Sequence, residues 1–297
     1  GVVLLKVGGV SSYALSASGA SQLVGIPALS LSGSLAVRVN TTGDAVNESI
    51  LVGTAGDTVD VIFTSAADVQ SLGGSVVLDI AGFVTMTGEF GFEKRVVGSQ
   101  TSILVGASID VFLGVPDQSL GISITDVDLA MLMLKDGAES ASYALSTDGN
   151  AELVGLPGLT LTGSLAVRVN NTGKIVDETI NVGTGGDTAS LSFTSTADVQ
   201  SLTGSVELSI ADFVVIDGDF GFEKSVEGTT TTILVGAKNV NVFLGTPDQT
   251  FGVRITDALL GLVMFKNADG VSTYALSAGG DAELLGVPSL TLSGSLF

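Results

Sequence analysis

The side chains able to do chemistry in this chain are almost all carboxylates. Asp and Glu number 31 against 11 Lys and Arg, and neither His nor Cys occurs. Without imidazole or thiol there is no Ser-His or Cys-His nucleophile pair, no thiolate metal site and no disulfide. Catalysis would have to rest on paired carboxylates. Glu93 and Glu223 stand beside Lys94 and Lys224, with Asp219 on the same strand face as Glu223. A glycosidase-type pair needs its carboxyl groups about 5–10 Å apart. Glu89, however, repeats the charge of Asp219 in the earlier copy of the segment, so the pair reads as a solvated face and the chain as no enzyme.

Metal binding is the other chemistry that carboxylates offer, and a set of hard oxygen donors suits calcium. Four Asp pairs recur at matching positions: Asp57 and Asp187, Asp68 and Asp198, Asp117 and Asp248, Asp126 and Asp257. All fall at expected turns or strand ends. Neither the EF-hand spacing nor the glycine-aspartate nonapeptide of calcium-binding β-rolls is present, so backbone bonding within turns is the favoured role and calcium the alternative. No other cofactor is expected. Asn40, Asn47 and Asn170 open N-glycosylation sequons, which the sequence places in exposed turns. The glycine-rich VGTGGDT at 182–188 lacks the Gly-Lys-Ser/Thr of a phosphate loop.

These residues are held by a repeat. VGLPGLTLTGSLAVRVNNTG at 154–173 recurs as VGIPALSLSGSLAVRVNTTG at 24–43 and begins again at 286–297. From Leu159 the chain alternates. Leu159, Leu161, Gly163, Leu165, Val167 and Val169 fall on one face and polar residues on the other, which predicts a half-buried strand starting after Pro157 or Pro27. Val214, Ile216, Gly218, Phe220 and Phe222 form a second such face, and the apolar runs 126–135 and 257–266 predict strands covered on both sides. Further strands are expected at 142–147, 151–155, 175–182, 188–195, 204–210, 231–237, 241–245 and 252–266. The period of about 130 residues divides the chain into 1–12, the end of one repeat; 13–142 and 143–273, two whole repeats; and 274–297, the start of another. Both chain ends fall inside a strand, as expected of a window on a longer array.

Composition agrees with sheet and sets limits. Apolar residues make up 45% and charged residues only 14%, with 40 Gly and no Trp. A net charge of −20 repels phosphate backbones and anionic lipid and keeps an apolar chain soluble, so nucleic acid is not an expected partner. No apolar run reaches the roughly 18 residues that suggest a membrane helix. Without a linker between Tyr13 and Phe297, the expected fold is all-β, with repeats stacked as a β-solenoid-like array; a string of β-sandwich domains is the alternative.

At GFEK (91–94 and 221–224), ILVGA (103–107 and 233–237) and VFLG followed by PDQ (111–118 and 242–249), the chain resembles tandem repeats of giant bacterial surface proteins of the LEPR-XLL type. That resemblance implies an extracellular or cell-surface location and many repeats, and it brings no functional residues. The expected role is structural, a rod or filament whose partners are other copies of the repeat. The alternative is an adhesin that binds carbohydrate or another surface through polar rows such as Thr160, Thr162 and Ser164, or Ser30, Ser32 and Ser34.

Overall fold

A computed structural model describes residues 1–22, 29–66, 68–137, 140–288, 290 and 292–296. Pro27 and Phe297 lie outside them. Among the described residues there is no helix. The first strands are β1 (Val2–Val7), β2 (Val10–Gln22), β3 (Leu29–Asn40), β4 (Val46–Val52), β5 (Asp57–Phe63) and β6 (Asp68–Ile80). Next come β7 (Val84–Val97), β8 (Gln100–Gly114), β9 (Gly121–Asp136), β10 (Ser142–Val154), β11 (Leu159–Asn170), β12 (Val176–Val182) and β13 (Asp187–Phe193). The last are β14 (Asp198–Ile210), β15 (Val214–Glu227), β16 (Thr230–Gly245), β17 (Gly252–Lys266), β18 (Ser272–Leu285) and β19 (Ser293–Leu296).

Most strands hydrogen-bond in one large, mostly antiparallel sheet, in the order β1-β2-β3-β6-β7-β8-β9-β10-β11-β14-β15-β16-β17-β18-β19. The exceptions are two separate ribbons, β4–β5 and β12–β13. Each ribbon is inserted between strands that pair with each other. Thus β11 pairs with β14, from Leu159 opposite Ile210 to Asn170 opposite Val199, while the intervening residues leave the sheet as a hairpin.

The chain divides into two compact units. The first holds Gly1–Ile109, Asp128–Leu145 and Val176–Phe193; the second holds Asp110–Val127, Ser146–Ile175 and Thr194–Phe297. In the first unit each ribbon closes a small core. Val46, Val61 and Phe63 of β4–β5 bury Ala14, with Val3 and Ile50 packed at the edge. Val176, Ile180, Leu191 and Phe193 of β12–β13 bury Leu104, Ala130, Leu132 and Ala144.

The described structure corrects several expectations. Residues 142–147 and 151–154 belong to one strand, β10, in which the Asp-Gly-Asn between them continues the strand and Gly155 falls just past its end. Residues 231–237 and 241–245 are likewise one strand, β16, in which the expected turn is a bulge that shifts the register between Ala237 and Val242. Asp257 meets that irregularity from β17 with φ of 51°, a left-handed conformation that Asp tolerates better than most residues.

Facing differs as well. Leu161 and Leu165 are 41% and 47% exposed, and Phe220 and Phe222 are 37% and 38% exposed, so among the described residues these positions lack a cover. The same holds in 257–266, where Leu259, Leu260 and Phe265 are exposed, whereas Ala130 and Leu132 in the matching run 126–135 are buried on one face. A ribbon covers one run and not the other.

Gly163 is inward in a different sense: it faces the neighbouring backbone. A Cβ there would stand 2.6 Å from the carbonyl oxygen of Ser205, whereas one on Gly19 would meet nothing within 4 Å. Gly163→Val is therefore expected to cost about 1–3 kcal/mol through overpacking. Gly19→Val should leave the urea midpoint near that of the parent, and equal midpoints for all three proteins would show that the close approach carries no energetic weight.

Candidate functional site

The most constrained place in the first unit is a trough of bare backbone across β6, β7 and β8. Antiparallel register sets Gly73 directly opposite Gly91, and Gly106 lies on the next strand. With no Cβ on any of the three, a second layer can approach the sheet more closely than side chains permit. The β12–β13 ribbon fills this space. A Cβ on Gly73 would lie 2.8 Å from the Gly183 carbonyl oxygen, one on Gly91 would collide with the Asn181 carbonyl, and one on Gly106 would press on Ile180 and Val182 at 3.0 Å. The Gly183 amide donates to the Phe90 carbonyl at 3.0 Å, tying the ribbon tip to the sheet. Gly183 has φ of 66°, and its α-carbon lies against the Glu89 carboxylate, so conformation and space both demand glycine.

Beside the trough runs the apolar strip already described. Leu104 and Ala144 are fully buried beneath Leu191 and Val176, which are 0% and 3% exposed. Burying a Leu side chain is worth about 1.5–3 kcal/mol, so this strip supplies most of the attraction and the trough its fit. At the rim, Arg95 pairs with Glu93 on its own strand and, at 3.2 Å, with Glu178 of the ribbon. Partial burial works against the Arg95 charge, but the two carboxylates outweigh it and hold the guanidinium above its ordinary value. Glu93 is thus an ion-pair partner.

The β4–β5 ribbon has the same layout with a different degree of cover. Its base is buried on β1–β2, but Leu51 and Val52 near its tip are 69% and 46% exposed, whereas Val182 at the matching position is 2% exposed.

The eight predicted Asp residues are placed singly. Asp57 and Asp187 open β5 and β13 opposite Val52 and Val182, and Asp68 and Asp198 open β6 and β14. Asp117 accepts from the Ser119 hydroxyl at 2.6 Å and amide at 3.1 Å; Asp248 accepts from the hydroxyls of Thr246 at 2.6 Å and Thr250 at 2.8 Å and from the Thr250 amide at 3.2 Å. Asp126 donates its amide to Asp110 and accepts from Asn150, and Asp257 donates its amide to Asn241. Asp187 lines a cavity of about 450 Å³ together with Glu89 and Asp128. Among the described residues no group of three or more acidic side chains converges so as to hold a metal ion. Asp219 lies opposite Lys238 and accepts from Asn239 at 2.9 Å. In the polar rows, Ser34 and Ser164 share hydroxyl hydrogen bonds at 2.9 Å with Ser75 and Ser205.

Two sequons are corrected outright. Asn40 and Asn170, expected in exposed turns, are 0% and 1% exposed. Each side-chain amide closes the loop that leaves the sheet. Asn170 Nδ2 donates to the Lys174 carbonyl at 3.1 Å, while its Oδ1 accepts from the Thr172 amide at 3.0 Å and hydroxyl at 2.7 Å. Asn40 does the same with Asp44 and Thr42. The Asn-x-Thr pattern is a staple at the root of each ribbon, with its amide nitrogen in use. Asn47 stands exposed in β4.

The chain matches no protein-family model, no curated protein and no solved structure.

Asn170→Ala leaves buried backbone groups unpaired and is expected to lose about 1–3 kcal/mol in urea unfolding, against little change for Asn47→Ala. Equal losses from the two would remove the staple. Asp248 gives a pH signature. The Thr246 hydroxyl, then the Thr250 hydroxyl and amide, hold its carboxyl below the ordinary value of 3.8. A depressed folded value means stability that is present above 3.8 and lost as pH falls through the folded value. Asp248→Ala should therefore melt below the parent at neutral pH, and the gap should shrink on acidification below 3.8. A gap that is constant with pH would contradict that account.

Proposed function

We propose that the chain is a structural repeat protein that works outside a bacterial cell as part of a rod or filament, without catalytic activity. One observation carries this reading: both ribbons bury the same kinds of side chain on strands that precede them in sequence. Val3, at the end of one repeat, packs against the Val46, Val61 and Phe63 core of the next, and Val176, Ile180, Leu191 and Phe193 lie over Leu104, Ala130 and Leu132 of the repeat before. A core made between one repeat and the strands before it favours continuous, solenoid-like stacking over a string of independent sandwiches. Such an array carries load through many ladders in series, and its natural partners are further copies of itself.

The resemblance to LEPR-XLL-type repeats supports an extracellular or surface location. The charge of −20 serves solubility, and the turn carboxylates serve the turns. The adhesin reading gains no support from the polar rows, because Ser34 and Ser164 spend their hydroxyls on neighbouring strands. Antibody raised against the purified chain should decorate elongated material outside the producing cells in electron micrographs. Label confined to the cytoplasm would overturn the proposal.

A further inference from the structure

The second unit contains the trough again, open. Thr203 stands opposite Gly221, Gly221 opposite Gly236, and Gly236 opposite Gly261. Gly221 and Gly236 match Gly91 and Gly106, yet among the described residues nothing covers them. A Cβ on Gly221 would meet only the Thr203 methyl at 3.7 Å, one on Gly236 only the Leu260 carbonyl oxygen at 3.9 Å, and one on Gly261 nothing within 4 Å. An open cavity of about 500 Å³ takes the place of the ribbon tip, lined by Thr203, Asp219, Gly221, Gly236 and Leu260 among others. Beside it the apolar strip is bare. Leu234 is 37% exposed where its counterpart Leu104 is fully buried, and Ala275 is exposed where Ala144 is fully buried.

From this we infer that β14–β18 form an acceptor seat, and that its occupant is a β-hairpin of the β12–β13 type belonging to a further repeat of this sequence. The inference rests on the array reading and deepens it by naming the piece that joins one repeat to the next. The chemistry of the donor follows from the filled seat. It needs branched apolar residues like Ile180 and Val182 to press on Gly236, a backbone carbonyl like that of Asn181 over Gly221, and a turn glycine in the left-handed conformation whose amide reaches the Phe220 carbonyl. Two positions differ between the seats. Thr203 replaces Gly73, so the incoming turn rides slightly higher at that edge. Ser225 replaces Arg95, so the donor's counterpart of Glu178 gains no ion pair.

The test is to extend the full chain beyond Phe297 with a second copy of its own residues 167–195, which carries on from the strand Ser293–Leu296 and adds the hairpin. Amide exchange should slow over 231–237 and 259–266 relative to the unextended chain, and the melting temperature should rise. Gly221→Ala should leave the unextended chain unchanged, because the space above it is open, and should abolish both effects in the extended chain. Gly91→Ala in the unextended chain is the yardstick for a blocked seat and should lower the melting temperature. Unchanged exchange on extension, or protection that survives Gly221→Ala, would overturn the seat. A dimer of the unextended chain that Gly221→Ala dissociates would instead assign the seat to a second molecule and overturn donation by a joined repeat. Extracellular location is untouched by any of these outcomes and stands or falls on the antibody labelling.

Discussion

A sheet one layer thick leaves its apolar side chains in water unless another layer is laid on them, and here the only second layers described are two-stranded ribbons. Two strands alone are marginal in water, so the ribbon needs the sheet as much as the sheet needs the ribbon. Glycine makes the match possible. Where Gly73 and Gly91 face each other, the ribbon backbone comes close enough for Gly183 to reach the Phe90 carbonyl, and the neighbouring Leu104, Leu132 and Leu191 then exclude water together. Removing the cover while leaving the sheet gives the state of Leu234 and Phe265: the same ladder, with its apolar side chains exposed.

The sequence carried the strands well and their surroundings poorly. Period-two alternation marked Leu159–Asn170, and β17 begins and ends at the expected residues 252 and 266. Alternation says which residues share a face, but it cannot say whether that face is covered. Phe220 and Phe222 were expected inward because they are apolar, yet the matching strand in the first unit is covered on its other face, where Glu89, Gly91, Glu93 and Arg95 lie against or beside the ribbon. A polar row with glycines at its centre signals a backbone contact, and a reading that equates apolar with buried passes over it. Bulges escape the alternation for a related reason: Asn239 and Asp257 adopt left-handed φ without breaking the strand, although Asn and Asp read as turn residues.

Among the described residues no three acidic side chains come together in a metal-holding group. Some turn carboxylates are occupied locally, Asp117 by Ser119 and Asp248 by Thr246 and Thr250, and Glu93 is held by Arg95. Asp117 and Asp248 fasten their own turns.

Asn40 and Asn170 bear on how such a chain can be made. Each asparagine is an acceptor for oligosaccharide only while its amide nitrogen is free, which is before the loop at the ribbon's root has closed. In a secretory pathway that glycosylates nascent chains, sugar would be attached ahead of folding, and the bulky adduct would then occupy the space that the Lys174 carbonyl needs. The ribbon would lose its anchor, and with it the cover for the strands that precede it. A fold of this kind is compatible with export only where that modification is absent, or where the loop closes before the enzyme arrives.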